Sequence, residues 1–287
     1  MIGILLALFA AIANGSAAIL VKKELDKSNV LNATFVVTVV GTVIIWSLVP
    51  LYTNLNNVRF EGLFLFALAG ALAPGIGRLF YYKGVDVIGV SANATIFATY
   101  PMYSSILAVF LLNEMLSPVN WIGIICITLG VVYIEKISGK SNHKKNETLF
   151  FSIVATLFMA LSQIIRKYGL GIYNEPLLGA AVGYAISLLL YIPLLIFSNT
   201  TPMQCHFSLG RDFRLFWRAG VSLSIGWILA YYALSNERVS IVTSILQTEA
   251  LFVNFFVYIF LRKLEHITLK LVISALIIVI GTILLVS

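Results

Sequence analysis

The uncharged stretch 28–58, SNVLNATFVVTVVGTVIIWSLVPLYTNLNNV, decides the fold class. It lies between Lys27 and Arg59 and contains no charged side chain. A helix that crosses the hydrocarbon core of a bilayer needs about 20 apolar residues, so this stretch can span a membrane. Comparable runs occupy the rest of the chain, at 1–21, 62–77, 87–113, 115–134, 148–165, 176–210, 219–236, 239–261 (interrupted only by Glu249) and 271–287.

The composition supports a membrane protein over its whole length. Hydrophobic residues make up 60% of the chain and charged residues only 11%, whereas a soluble domain carries about 25% charged residues. This excludes a soluble enzyme, a secreted disulfide scaffold, a disordered chain and a nucleic-acid-binding protein. The net charge of +7 is typical of the cytoplasmic loops of a membrane protein. Residues 1–21 lack a basic start and a polar cleavage region, so we expect a retained span.

The runs are continuous rather than alternating, which favours helices over the strands of a membrane barrel. We therefore predict an all-α integral membrane protein with ten transmembrane helices. Their expected positions are 2–21, 31–52, 61–83, 89–112, 118–135, 148–166, 176–198, 216–235, 239–261 and 267–286.

The chain divides into two similar halves. Residues 136–147, KISGKSNHKKNE, form the longest polar stretch and fall between the fifth and sixth predicted helices. Ala69-Gly70 and Tyr81-Tyr82 in the first half recur as Ala219-Gly220 and Tyr231-Tyr232 in the second. Such repeats are typical of transporters, and an odd number of helices per half inverts the second copy. We expect five-helix units at 1–139 and 148–287, joined by a basic linker at 140–147.

Basic residues predict the orientation of the chain in the membrane. The connections after helices one, three, five, seven and nine hold 15 of the 19 lysines and arginines. Cytoplasmic loops carry an excess of these residues, so both termini are expected outside and the linker inside.

Several motifs of the first half resemble one EamA repeat of the drug/metabolite transporter superfamily. They are 77–84 (GRLFYYKG), 88–94 (IGVSANA), Tyr100-Pro101, Leu112-Asn113-Glu114, Gly123 and Gly130. The second half is similar to a weaker copy, through Thr248-Glu249, Phe260-Leu261 and Gly281. It departs from the pattern where Ala250 replaces a proline and Lys263 replaces the counterpart of Glu114.

The resemblance implies a ten-helix, inverted-repeat secondary transporter of small organic metabolites, often exporting them. Members of the superfamily are often described with both termini in the cytoplasm, opposite to the orientation that the basic residues of this chain predict. The resemblance does not specify the solute.

Glu249 is the first candidate site residue because it lies near the middle of its predicted span. A carboxylate at that depth costs about 2.5 kcal/mol or more, so it needs a cavity, a partner or a proton. It could couple transport to protons or bind an ammonium group; alternatively, a protonated carboxyl could hold two helices together. On a continuous helix Gln247 shares a second polar face, about 200° away.

Arg78 is the second candidate, with Tyr81 and Tyr82 on the same helical face. A guanidinium framed by phenols could bind a substrate carboxylate. The alternative is a snorkelling side chain, since Arg78 lies about 7.5 Å from the expected helix end at Lys83. On straight helices the axial gap between Arg78 and Glu249 is about 10 Å, which a zwitterionic solute could span.

Aromatic and amide side chains complete the set. Tyr100, Trp227 and Tyr231 could contact apolar or ammonium groups of a solute, although such residues also form interfacial belts. Asn14 in helix one and Gln163 in helix six occupy roughly matching places in the two halves. They are secondary cavity candidates, and small residues near them are interpreted as packing positions.

No enzyme motif, metal-ligand spacing or phosphate-binding loop is present in the sequence, so we predict neither an enzyme nor a cofactor. The prediction is a multi-pass cell-membrane transporter with alternating access, whose partners are a small-molecule substrate, the lipid bilayer and a proton, as a monomer or homodimer. An amino-acid-like solute and export are favoured. The alternatives are a carrier of a sugar, nucleotide-conjugate or lipid-linked solute, and a non-transporting membrane scaffold.

Overall fold

A computed structural model describes residues 1–25, 27–53, 58–88, 96–138, 149–198, 209–249, 251–252, 255–256 and 269–286. All of the secondary structure in these ranges is helical. The helices are α1 (Ile2–Leu25), α2 (Val30–Tyr52), α3 (Phe60–Gly70), α4 (Gly77–Ile88), α5 (Tyr100–Leu112), α6 (Pro118–Ser138), α7 (Leu149–Ile172), α8 (Pro176–Ser198), α9 (Leu209–Asn236), α10 (Val239–Leu246) and α11 (Leu269–Val286). A π-helical turn, Ala71–Ile76, joins α3 to α4.

Many of these helices are long and apolar enough for a bilayer. Five segments meet both conditions: Ile2–Val21, Leu31–Tyr52, Phe60–Tyr81, Leu149–Ile172 and Pro176–Leu194. Shorter apolar helices follow at Tyr100–Leu112, Pro118–Tyr133 and Leu276–Leu285. The chain is therefore a multi-pass helical membrane protein, while the count of ten spans stays a prediction.

Several predicted helix ends are wrong because a charged residue does not stop a helix. The third span continues past Lys83 to Ile88, and α7 continues past Arg166 to Ile172. Similarly, α9 begins at Leu209, so Arg211 lies in its first turn rather than in a loop. Lysine and arginine have good helix propensity, and their long side chains can lie along the helix surface.

The third predicted span is broken in its middle. Within Ala71–Ile76, Ala73 (φ −151°, ψ 124°) and Gly75 (φ −63°, ψ −106°) leave the helical dihedral angles around Pro74. Proline lacks an N–H and clashes with the preceding turn, so the helical hydrogen bonds are interrupted there. Carbonyl groups freed in this way need donors from neighbouring helices.

Side chains of α7 and α8 supply those donors. Ser162 Oγ donates to Ala69 O at 2.8 Å and to Ala73 O at 3.2 Å. Ser187 Oγ donates to Gly70 O at 3.0 Å. The hydroxyl of Tyr191 donates to Pro74 O and, at 3.1 Å, to Gly75 O. Hydrogen bonds from both α7 and α8 therefore stabilise the break.

The fourth and ninth predicted spans are interrupted at matching positions, so their expected continuity is wrong. Thr99 Oγ1 donates to Ile96 O at 2.6 Å, and Thr248 Oγ1 donates to Ile245 O at 2.7 Å. The backbone N–H groups of the same threonines donate to the same carbonyls, at 3.1 and 3.0 Å. Helix resumes at Tyr100 in the first half and at Glu249 in the second.

Several contacts between a helix of the first half and a helix of the second have an equivalent contact in which the two halves are exchanged. Helix α1 packs on α9, and α7 packs on α3 and α4. Helix α2 packs on α9, as α8 packs on α3. Likewise α1 contacts α10, and α7 contacts α5. Two further pairs, α2 with α8 and α6 with α11, join equivalent helices.

Glycines allow the closest of these contacts. A Cβ added to Gly70 of α3 would overlap the backbone of Gly183 in α8. A Cβ on Gly123 of α6 would lie 2.7 Å from Gly281 O in α11. Small residues let membrane helices approach backbone to backbone. Gly179 and Gly183 also lie against Tyr231, which supports the interpretation of their spacing as a packing motif.

Candidate functional site

Arg166 of α7 is a buried cation at the centre of the candidate site. Its side chain is 1% exposed, although α7 is long and apolar enough to span a membrane. The guanidinium donates from Nη2 to Ala73 O at the helix break and from Nη1 to Gln163 Oε1 at 3.3 Å. Arginine stays charged in proteins, so these contacts fix a positive charge beside the broken helix.

Aromatic rings surround this guanidinium. Its Cζ lies 4.2 Å from the ring centroid of Trp227 and 5.2 Å from that of Tyr231. Tyr184 of α8 contacts Trp227 edge to face, with centroids 5.7 Å apart at 84°. Cation–π attraction is strongest where water is excluded, and all of these rings are buried. We call Arg166, Gln163, Tyr184, Trp227 and Tyr231 the Arg166 cluster.

Arg78 lies near the cluster, immediately after the break at the start of α4. It is half-buried and interacts electrostatically with both Arg166 and Tyr184. The sequence predicted a helix end about 7.5 Å from Arg78. This is wrong, because α4 continues to Ile88, which lies about 15 Å from Arg78 along the helix axis. Two positive charges therefore share one region inside the helices.

Tyr100 and Glu249 follow the matching turns of the two halves. Tyr100 is buried, and its hydroxyl donates to Thr243 O at 3.4 Å. It lies within electrostatic range of both Glu249 and Arg166. Ser104 and Thr243 hydroxyls, 2.9 Å apart, join α5 to α10 beside it. The two breaks thus bring Glu249 into the same region as the arginines.

The other predicted residues lie at varying distances from this region. Tyr81 contacts Phe97 with centroids 4.9 Å apart, and Phe97 lies 5.6 Å from Tyr100. The side chain of Tyr82 lies outside the described residues. Asn14 packs against Gly226, next to Trp227 in α9.

Gln247 directly follows α10, and its N–H donates to Thr243 O at 3.2 Å. It lies in the turn that precedes Glu249, so the angle of 200° between the two on a continuous helix does not apply. The breaks at Ala71–Ile76 and at this turn also remove the straight helices on which the axial gap of 10 Å was based.

Sequence reasoning missed Arg166 and Tyr184. Arg166 was assigned to the end of helix six, yet the residues after it, 167–172 (KYGLGI), continue the helix by another turn and a half. Tyr184 had no charged neighbour to single it out; it follows Gly183, whose close contact with α3 fixes its position.

Two other features lie apart from this region. A shallow depression lined by Val39, Gly210, Phe213, Arg214 and Trp217 lies between α2 and the start of α9. Trp217 is ten residues before Trp227, about 15 Å along the helix. No group of three His, Cys, Asp or Glu in the described ranges is arranged to hold a metal ion.

Comparisons with known proteins identify relatives of this chain. A 136-residue segment is 31% identical to the uncharacterized transporter YwfM of Bacillus subtilis (strain 168). It covers 46% of this chain and 45% of that protein, so the chain matches less than half the length of this relative. A solved structure described only as the crystal structure of a protein superimposes with a TM-score of 0.81. The match covers 98% of this chain and 95% of the other at 11% identity, which establishes the fold alone.

The profile of the EamA-like transporter family matches residues 1–135 and 147–287, one copy in each half. These matches include nearly the whole chain and confirm the resemblance drawn from the motifs. The chain belongs to the EamA-like transporter family.

Proposed function

We propose that the protein is a secondary transporter of a small organic solute in the cell membrane. Ten spans in two inverted five-helix repeats, 1–139 and 148–287 with a linker at 140–147, would alternate access to one central site. The exchanged helix contacts and the matching turns at Thr99 and Thr248 support this arrangement. We propose export rather than import, on the family resemblance.

One observation carries the proposal: charged and aromatic side chains are buried together where three helices break. Arg166 lies against the freed carbonyl of Ala73, and Glu249 follows the turn at Thr248. Ionisable groups at membrane depth are costly and therefore mark functional sites. Broken helices at a repeat interface are characteristic of solute sites in secondary transporters. A membrane scaffold that transports no solute requires neither buried ionisable groups nor broken helices.

An amino-acid-like solute fits the charges of this site. Arg166 and Arg78 suit a carboxylate, Glu249 suits an ammonium group or a coupling proton, and the rings of Trp227 and Tyr184 suit an apolar side chain. The runner-up is a solute with a phosphate group, such as a sugar or nucleotide conjugate, which two arginines would also attract.

The test is counterflow in liposomes that contain the purified full chain. Liposomes are loaded with unlabelled L-phenylalanine, and the uptake of external labelled L-phenylalanine is followed. A transporter of this class accumulates the label transiently and with saturation, whereas protein-free liposomes do not. Uptake equal to that of protein-free liposomes, for phenylalanine and for a panel of other amino acids, would reject the proposed class of solute.

A further inference from the structure

The Arg166 cluster contains three buried polar groups without a hydrogen-bond partner in the described part of the chain. They are Nε of Arg166 and the hydroxyl groups of Tyr184 and Tyr231. Each of these side chains is at most 1% exposed. Because buried polar groups are nearly always paired, three such exceptions in one place need an explanation.

All three groups belong to one aromatic enclosure. Trp227 lies against the guanidinium of Arg166 at 4.2 Å and contacts the Tyr184 ring at 5.7 Å. Tyr231 lies 5.2 Å from the same guanidinium. The rings contact the π-face of the guanidinium, and Nη1 and Nη2 already donate to Gln163 and Ala73, so Nε–H is the donor that remains for an acceptor. The two phenol hydroxyls can each donate one further hydrogen bond.

The charges near the enclosure favour an anion. Arg78 interacts electrostatically with Arg166, and a negative group bound near both would relieve the repulsion between them. Glu249 interacts electrostatically with Tyr100, which also interacts with Arg166. Two cations and one carboxylate in this region favour a ligand with an anionic group.

We infer that Arg166, together with the hydroxyls of Tyr184 and Tyr231, is the receptor for the carboxylate of the solute. A carboxylate only accepts hydrogen bonds, on two oxygens, and the three unpaired groups can all donate. The inference rests on the proposed function and assigns to Arg166 the carboxylate-binding role that was expected of Arg78. It also predicts that the carboxylate, rather than the ammonium group, is the essential part of the solute.

Tyr184→Phe separates this role from a structural one. The hydroxyl of Tyr184 has no partner within the described residues, so its removal should leave the melting temperature of the ligand-free protein unchanged or higher. The dissociation constant of L-phenylalanine, measured by calorimetry on the full chain in lipid nanodiscs, should rise about three- to tenfold. An unchanged dissociation constant would overturn the part assigned to this hydroxyl.

Arg166 is tested with matched ligands that differ in one group. The wild type should bind L-phenylalanine and 3-phenylpropionate about ten- to hundredfold more tightly than L-phenylalaninamide and phenethylamine, because only the first two carry a carboxylate. Arg166→Gln should abolish this preference. Arg166→Lys keeps the charge and should retain only part of it, because lysine lacks the planar fork. It also serves as the second variant if Arg166→Gln fails to fold.

Arg78→Gln is the control for position. It should lower the affinity for carboxylate ligands but leave most of the preference for acid over amide, because Arg166 remains. If the preference is undiminished in Arg166→Lys and is lost in Arg78→Gln, the receptor is Arg78 and the inference is wrong. A wild type that binds none of the four ligands, or prefers phenethylamine or phenyl phosphate, also overturns it. Counterflow measured separately decides whether the protein transports, so the two failures are distinguishable.

Discussion

Glu249 is an acidic side chain at a helix break inside an apolar protein, and its ionisation must be compensated. It is half-buried and interacts with Tyr100. We expect Glu249→Gln to abolish the accumulation of L-phenylalanine driven by an imposed pH gradient, because glutamine cannot exchange a proton. Counterflow should continue, since exchange of solute requires no net movement of protons. Both fluxes are measured on the same liposome preparation.

Glu61→Gln provides the control for this prediction. Glu61 lies in the first turn of α3 and is exposed, so its replacement should alter neither flux. If Glu249→Gln accumulates solute at the wild-type rate with the same pH dependence, the carboxyl is structural and the proton-coupling assignment fails.

The residues of the site were predictable only in part. Glu249 could be recognised because an acidic residue in an uncharged run needs no knowledge of the fold. Arg166 could not, because a basic residue near the end of a run is ordinarily a snorkelling residue. Its importance depends on Trp227 and Ala73, which are distant in the sequence and are brought to it by packing.

Gly70 controls the contact between α3 and α8 beside the broken helix. We expect Gly70→Ala to lower the free energy of unfolding by about 1–3 kcal/mol, because its Cβ would overlap the backbone of Gly183, which cannot rotate away. The measurement is the detergent-induced unfolding midpoint followed by tryptophan fluorescence.

Gly171→Ala is the matched control, since a Cβ there meets nothing within 4 Å. Alanine has the better helix propensity, so this variant should be neutral or slightly stabilised. A Gly70→Ala midpoint equal to those of Gly171→Ala and the wild type would mean that the α3–α8 contact can widen at no cost.

Glu114 of the first half caps a helix of the second. Its Oε1 accepts from Val239 N at 2.6 Å, and its Oε2 accepts from Ser240 Oγ at 2.6 Å. The residue before α10, Arg238, makes no capping bond of its own with its side chain. We expect Glu114→Ala to destabilise the protein by about 1–2 kcal/mol, through the loss of a helix cap and of a favourable charge at the helix start.

Glu114→Gln retains one acceptor oxygen and should lose less stability than the alanine variant in the same unfolding assay. An unchanged midpoint in Glu114→Ala would show that the backbone N–H groups at the start of α10 donate to another group or to water instead.

A hydrophobic pattern predicts apolar helices but not the positions at which they break. The runs 62–77, 87–113 and 239–261 predicted apolar helical segments, and the structure has helices in each. Their interruptions depend on donors elsewhere, such as Ser187 and Tyr191 for the carbonyls around Pro74. Pro101 is a sequence signal for one of them, because proline is tolerated in the first turn of a helix and disrupts its interior. Thr248 has no such signal in the sequence.

In the whole molecule, helices of each half pack on helices of the other, so the two halves share one packed interior. Helices α3 and α4 pack on α7, and α9 packs on α1. The breaks are less symmetric. Ala71–Ile76 has its counterpart, 150 residues later, inside the uninterrupted helix α9. Trp227 therefore comes from a rigid helix, whereas Arg78 follows a break.

The orientation of the whole chain follows from its basic residues. Arg78 and Arg166 lie within helices, yet the excess of lysine and arginine after the odd-numbered predicted helices persists without them. We expect Ser141→Cys in the central linker, in a Cys126→Ala, Cys205→Ala background, to react with an impermeant thiol reagent only after the cells are permeabilised. Asn174→Cys, exposed between α7 and α8, should react in intact cells. The reverse labelling pattern would place both termini in the cytoplasm and would mean that the basic residues do not determine insertion.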